Sequence, residues 1–232
     1  MRLDKYLSAS GFGTRSEVKK YIKAGRVLVN DKTAKDSGEN INESEDTVLF
    51  DGEKVEYSEY HYIMLNKPKG YVCSADEKGQ KTVPELINEP YRDKLFSVGR
   101  LDKDTTGLLL LTDDGALSHR LLSPRTHMDK EYEIVSGEPV TDKMIKAFED
   151  GLDIGDDKKT LPAKLFVTKD EYHSNVILHE GRFHQIKRMF EACDNEVLEL
   201  NRIRMKNLVL DNNLGLSEYR VLTDEEIAAL KE

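Results

Sequence analysis

Four consecutive leucines, Leu108 to Leu111, limit the fold of this chain more than any other feature. Thr106 and Gly107 precede the run, and Thr112-Asp113-Asp114-Gly115 follows it. A short aliphatic run between turn-forming residues reads as a strand buried on both faces. It is also the longest purely aliphatic stretch in the 232 residues. No segment approaches the roughly eighteen apolar residues that span a bilayer. The opening MRLDKYL lacks the basic-then-apolar pattern of a signal peptide. A soluble, cytoplasmic protein with no membrane association is expected.

From Tyr60 onward the pattern is one of strands separated by turns: YIMLNKPKGYV, LFSVGRL, TGLLLLT, KEYEIVSG, AKLFVT, NVILHE and NLVL. Few helices interrupt them. One spans Thr141 to Asp150, with Met144, Ile145 and Phe148 on one face and Gly151 at its end. Another follows Gly181, and a last one follows Thr223, which forms a capping box with Glu226. Strands with interspersed helices predict an α+β fold with a largely antiparallel or mixed sheet. Cys73 and Cys193 stand far apart, and the six histidines lack ligand spacing. Neither a disulfide framework nor a structural metal is expected.

Ahead of this region, Leu3, Tyr6 and Leu7 share a helical face, and Gly11 and Gly13 break the helix. Thr14 opens a second helix with Glu17 three residues on, a capping box. Val18, Tyr21 and Ile22 form its buried stripe, Gly25 stops it, and RVLVN follows as a strand with a turn at Asn30-Asp31. Residues 1–35 carry nine Lys or Arg against three acids, a formal +6, whereas the whole chain is at −9 and the remainder therefore at −15. Such asymmetry suggests a basic docking head on an acidic body, although random clustering on a solvated surface would look the same. Residues 36–57, with eight acids and one lysine, read as the end of a small domain plus a linker.

The order of helix, turn, basic helix and GRVLVN strand resembles the S4-type RNA-binding domain. That resemblance implies that Arg2, Arg15, Lys19, Lys20, Lys23 and Arg26 hold RNA phosphates, contacts that give affinity and register without reading sequence. A small helical protein-binding module with solvated lysines is the plainer alternative.

Residues 99–115, GRLDKDTTGLLLLTDDG, place Asp102 in a loop anchored by the tetraleucine strand, a position able to hold a reactive group rigidly. An aspartate in such a turn is ordinarily a cap or a solvated acid, and Asp104, Asp113 and Asp114 are read that way. The whole string, however, resembles the catalytic motif of the RsuA-type pseudouridine synthases, which carry an N-terminal S4 domain. Lys130-Glu131-Tyr132, EGRFHQIKRMF at 180–190 and YIMLNKPKGYV resemble further segments of that family, in order. The resemblance implies an α+β protein with a small S4-like α/β RNA-binding domain, residues 1–57. This is joined to a larger catalytic domain, residues 58–232, with a mostly antiparallel or mixed sheet. It implies an isomerase that converts uridine in ribosomal RNA to pseudouridine.

By the same resemblance Asp102 is the essential carboxylate, able in principle to attack the sugar, attack the base or move a proton. Tyr132 stacks on the target base, or else packs as a core tyrosine. Lys187 pairs with Asp102 and keeps it ionised, as a point charge where related synthases have a bidentate arginine. A uridine within a helix must be flipped out to react. Arg100 then fills the vacated place or holds flanking phosphates, unless it makes only a structural salt bridge. In segment 182–190 a helix would turn Phe183, Ile186 and Phe190 inward, leaving Arg182 and Arg188 as phosphate ligands or a solvated face. His184 reads as structural, and Arg202 and Arg204 as an extension of the basic surface. No cofactor, ATP or metal is implied. The expected partner is ribosomal RNA or a small-subunit assembly intermediate, met by a monomer. HQIKRMF favours the small-subunit (16S) enzymes of the family over those acting on 23S RNA. A non-catalytic ribosome-assembly factor, or a metal-dependent phosphoryl-transfer enzyme using Asp102 and Asp104, are the competing readings.

Overall fold

A computed structural model describes residues 1–73, 79–123 and 128–232. They divide into two units, Met1–His61 with Ile87–Leu95, and Tyr62–Leu86 with Phe96–Glu232. In the first unit the helices α1 (Leu3–Ala9) and α2 (Arg15–Lys23) cover a four-stranded antiparallel sheet. Its strands β1 (Val27–Val29), β2 (Lys32–Thr33), β3 (Val48–Phe50) and β4 (Glu53–Lys54) lie in the order β2-β1-β3-β4. The Thr14 capping box is formed: Glu17 N–H donates to Thr14 Oγ1 at 3.3 Å, and Thr14 N–H to Glu17 Oε2 at 2.8 Å. Asn30 and Asp31 both adopt positive φ, 49° and 63°, between paired Val29 and Lys32, as a two-residue hairpin requires. Leu3, Leu7, Val18, Ile22 and Val27 build the core.

The acidic segment 36–57 is more than a chain end with a linker. It supplies β3 and β4 and three core residues, Ile41, Val48 and Val55. Most of its few apolar side chains pack into the core, so its polar composition hides its structural part. The first unit runs to His61, four residues beyond the expected boundary, and takes back Ile87–Leu95 from later in the chain. Lys94 Nζ donates to the carbonyls of Ser8 and Ala9 at 2.6 and 3.1 Å, satisfying the open end of α1. Tyr91 stacks on His61 at 3.5 Å between ring centroids.

The second unit is built on a nine-stranded mixed sheet. Its strands are β5 (Tyr62–Lys67), β6 (Phe96–Ser97), β7 (Thr106–Thr112), β8 (Lys130–Ser136), β9 (Lys164–Val167), β10 (His173–Leu178), β11 (Val197–Met205), β12 (Leu208–Val209) and β13 (Tyr219–Val221). The main path runs β13-β5-β7-β11-β8-β10-β9, and among the described strand pairs only β7–β11 is parallel. Helices α3 (Gly115–Leu122), α4 (Asp142–Asp150), α5 (Gln185–Glu191) and α6 (Asp224–Lys231) accompany it. The tetraleucine run is β7, at the middle of the sheet and buried along both faces. Leu108 and Leu110 pack with Leu117 and Leu121 of α3 and Leu230 of α6, while Leu109 and Leu111 are buried on the other side. Capping boxes and caps fall where expected: Thr141 and Thr223 cap α4 and α6, and Gly151 ends α4 at φ 77°. Asp114 caps α3, a helix absent from the sequence expectations.

Strand β11 is the larger omission. Bulges between Val197/Glu199 and Arg202/Arg204 break its alternation, and its largest fully buried side chain is an arginine. Arg202 is therefore not part of an exposed basic surface. It is 1% exposed, and its Nε donates to the Leu108 carbonyl at 2.8 Å.

Gly107 lets β7 approach β11 closely. A Cβ there would lie 2.3 Å from both the Arg202 carbonyl oxygen and Asn201 Oδ1, and its φ is +100°. Gly107→Ala should therefore destabilise the protein by about 2 kcal/mol or more. Urea denaturation followed by circular dichroism checks this, and an unchanged midpoint would refute the close approach.

Candidate active site

The loop between β6 and β7 is held from beneath by one wholly buried cation. Lys67, the last residue of β5, sends Nζ to the carbonyls of Thr105 (2.9 Å), Asp102 (3.0 Å), Pro68 (3.2 Å) and Lys103 (3.4 Å). Burial pushes its pKa below the ordinary lysine value, while nearby Cys73, Asp104 and Asp102 pull it back up. Thr105 N–H donates to the Asp102 carbonyl at 3.1 Å and Gly70 N–H to Lys103 at 2.7 Å. Leu101 N–H donates to Cys73 Sγ at 3.3 Å. The backbone around Asp102 is thus fixed by contacts from the core.

The Asp102 side chain faces a cleft of about 940 Å³. Tyr132 of β8 and Lys187 of α5 line the same cleft, as do Arg100, Lys130, His184 and Arg202. Tyr132 is largely buried, paired across the sheet with Val176 and Arg202. Lys187 makes its short contacts with Asp104, at 2.6 and 2.7 Å, and stands 3.6 Å from Asp102 Oδ2. One ammonium therefore serves two carboxylates, and the closer is one to which the sequence assigns no role. Burial alone would raise the Asp104 carboxyl, but the Lys187 hydrogen bond and charge outweigh it and hold the pKa below the usual range. His184 Nε2 lies 3.7 Å from Asp102 Oδ1, so this histidine, expected to be structural, borders the carboxylate.

The sequence pattern of the RNA pseudouridylate synthase family matches residues 61–192, and that of the S4 domain matches residues 1–48. The chain belongs to the RNA pseudouridylate synthase family. It is 43% identical to an uncharacterized RNA pseudouridine synthase of Bacillus subtilis, covering 100% of this chain and 99% of that protein. It is 42% identical to ribosomal small subunit pseudouridine synthase A of Haemophilus influenzae, over 99% of each chain. The solved structure of a pseudouridylate synthase superposes with a TM-score of 0.71 at 41% identity, over 99% of each chain. This chain is accordingly a pseudouridine synthase, an RNA-modifying isomerase with an N-terminal S4 domain.

Other arginines in this synthase hold structure as well as charge. Arg182 bonds Glu180 Oε2 at 3.1 Å and the carbonyls of Lys158 and Lys159 at 2.6 and 2.7 Å. Arg188 bonds Asp156 Oδ1 at 2.5 Å, the Phe183 carbonyl at 3.1 Å and the Ile154 carbonyl. Arg204 pairs with Glu131 at 2.9 Å. Phe183 is not turned inward on a helix: it precedes α5 and is 75% exposed, because left-handed His184 breaks the helical phase. In the S4 unit Arg15, Lys19, Lys20 and Lys23 are exposed on α2. Arg2 is engaged by Asp4 at 2.8 Å, and Arg26 by Asp51 and by the Tyr21 and Phe50 rings, each 4.7 Å from its Cζ. Lys67, Asp104 and His184 are the site residues that sequence reasoning missed. Lys67 lies in the KPKG string, His184 in FHQIK and Asp104 in GRLDKDTTG, and nothing in those strings marks the side chains apart from their neighbours.

The lowered Asp104 carboxyl has a defined pH signature. Its contribution to stability is complete above its ordinary value of 3.8 and is lost as pH falls through the lower folded value. Asp104→Asn should therefore remove part of the acid dependence of unfolding without adding any at neutral pH. Urea midpoints of both proteins between about pH 6 and pH 2 test this. Parallel acid limbs would dissolve the assigned pair.

Proposed function

We propose that this synthase isomerises a specific uridine of small-subunit (16S) ribosomal RNA to pseudouridine, with Asp102 as the essential carboxylate. The observation that carries the reading is the convergence of Asp102, Tyr132 and Lys187 on one cleft from a loop, a strand and a helix. Relatives from Haemophilus influenzae and Escherichia coli, 42% and 41% identical, bear the name ribosomal small subunit pseudouridine synthase A, which supports the small subunit as the source of substrate.

The reaction breaks the C1′–N1 bond, turns the uracil and joins C1′ to C5. The proton at C5 is lost and N1 gains one, so atoms and charge balance without a redox, phosphoryl or metal step. Each role open to the carboxylate, at the sugar, the base or a proton, begins from its ionised form. Lys187, 3.6 Å from Asp102 Oδ2, orients the carboxylate. Tyr132 provides a flat face for the uracil, and its hydroxyl is suited to help the proton leave C5. The target nucleotide enters by flipping out of its stack, at a cost of a few kcal/mol. Arg100, exposed at the cleft rim two residues before Asp102, takes the vacated place or holds the flanking phosphates. Arg182 lines the cleft wall, and Arg182 and Arg188, in their ion pairs, keep part of their charge toward RNA.

The S4 domain, assigned to residues 1–57, holds RNA through Arg15, Lys19, Lys20 and Lys23, with Arg2 and Arg26 as further contacts. Binding of this type weakens steeply with salt. The substrate is ribosomal RNA or a small-subunit assembly intermediate, and a monomer suffices to carry the cleft.

Pseudouridine mapping on ribosomal RNA, by carbodiimide modification and primer extension, tests the reading. One small-subunit site should vanish in cells lacking the protein and return with wild type. Asp102→Asn should not restore it, since losing the carboxylate costs on the order of 10³-fold or more in rate. Unchanged small-subunit sites, or loss of a large-subunit site instead, would refute the assignment. Restoration by Asp102→Asn would refute the role of the carboxylate.

A further inference from the structure

The lip of the cleft exposes an aromatic ring that the surrounding structure goes to some lengths to hold there. Phe183 is 75% exposed, the greatest value among the large hydrophobic side chains described as exposed. It lines the same cleft as Asp102. Its ring stacks on the His184 imidazole, with centroids 3.8 Å apart and planes 17° from parallel. His184 has φ 48° and ψ 33°, a left-handed conformation that costs a residue with a side chain about 1–2 kcal/mol. Backbone strain of this kind persists only where neighbours over-determine it.

Those neighbours are identifiable. Arg188 Nη1 donates to the Phe183 carbonyl at 3.1 Å and is itself held by Asp156. The Arg182 N–H donates to Gln185 Oε1 at 3.0 Å, which fixes the other side of the turn. His184 Nε2 stands 3.7 Å from Asp102 Oδ1, so the two-ring ledge is registered to the carboxylate. One face of Phe183 is covered by imidazole, and the rest of the ring is open.

We propose that Phe183, backed by His184, is a stacking platform for the nucleobase adjoining the uridine that enters the cleft. This rests on the uridine-flipping reading above. A flipped nucleotide leaves its neighbour with one unstacked face, and an aromatic ring at the cleft mouth replaces the lost partner. Base–aromatic stacking suits this task because every base has a flat face, and it contributes about 1–3 kcal/mol per base. Phe183 is a positioning residue: it holds the substrate and does not touch the reacting atoms.

The test uses the full chain and a small-subunit RNA fragment carrying the mapped site, with 2-aminopurine placed in turn on each side of the target. Single-turnover conversion and 2-aminopurine fluorescence are followed for wild type, Phe183→Ala, Phe183→Leu and Phe183→Tyr. Phe183→Ala should raise the half-saturating RNA concentration about tenfold, within the range expected for one lost stack. Its rate at saturation should stay near wild type, and the fluorescence quench at one neighbour should disappear. Phe183→Tyr should restore both, and Phe183→Leu should restore neither fully. Wild-type affinity in Phe183→Ala, or full rescue by leucine, would overturn the platform while leaving the synthase assignment intact. Failure of wild type to convert the site both in the fragment and in a small-subunit assembly intermediate would instead remove the substrate reading, and the platform with it.

Discussion

A single buried ammonium organises the catalytic end of this molecule. Lys67 sits at the end of β5, an antiparallel neighbour of β7, and its three hydrogen-bonding protons are distributed among four carbonyl oxygens of two loops. Among the described residues its hydrogen bonds all go to carbonyl oxygens, so its charge is stabilised mainly by backbone dipoles converging on it, with the charges of Asp104 and Asp102 nearby. Burial of an ion is costly unless its bonds are satisfied. Here the cost secures geometry. Besides that of Pro68, the carbonyls it gathers belong to Asp102, Lys103 and Thr105, which fixes the main chain on both sides of the Asp102 side chain. A neutral side chain of similar length could fill the space but could not draw those carbonyls together.

From that anchor the electrostatics of the cleft follow. Lys187 reaches across from α5 to two carboxylates, close to Asp104 and more distant from Asp102. The tight pair is the more exposed one, with Asp104 67% exposed against 29% for Asp102. Water screens the outer contact and weakens its net value, whereas the longer inner contact lies in a less polar setting. Asp104 thus orients the ammonium, leaving the Asp102 oxygens able to receive substrate. A short, bidentate hold on Asp102 itself would leave it less available.

The parts of this arrangement legible in the sequence are those whose signals are local. Thr14 and Glu17 close a capping box within one turn, Asn30-Asp31 encodes a hairpin, and four leucines require a covered strand. Asp102, Tyr132 and Lys187 were identified by resemblance, and the fold brings them to one cleft. What stayed hidden depends on partners distant in sequence. Strand β11 alternates poorly because two bulges shift its phase, and its buried arginine imitates a surface residue. Lys67 reads as an ordinary solvated lysine until the loop 35 residues later closes over it. Phe183 has helical spacing to Ile186 and Phe190, yet the left-handed His184 places it outside the helix.

The arginines make the same point for charge. Composition divides this chain into a basic head and an acidic body, and the body still contains the Arg182, Arg188, Arg202 and Arg204 that resemble nucleic-acid ligands. Three of these four are tied to Glu180, Asp156 or Glu131, and the fourth is enclosed beside Leu108. The acidity of the body is therefore partly the counter-charge that lets guanidinium groups act as struts. The α2 cations Arg15, Lys19, Lys20 and Lys23 remain exposed and suited to phosphates. Under the proposed function, long-range attraction to RNA comes mainly from the S4 unit, where each neutralised phosphate adds to the salt dependence. On that same reading the cleft discriminates at short range through a fixed carboxylate, a tyrosine face and an exposed phenyl ring. Affinity and chemistry are then carried by different units, and the net charge of −9 says little about either.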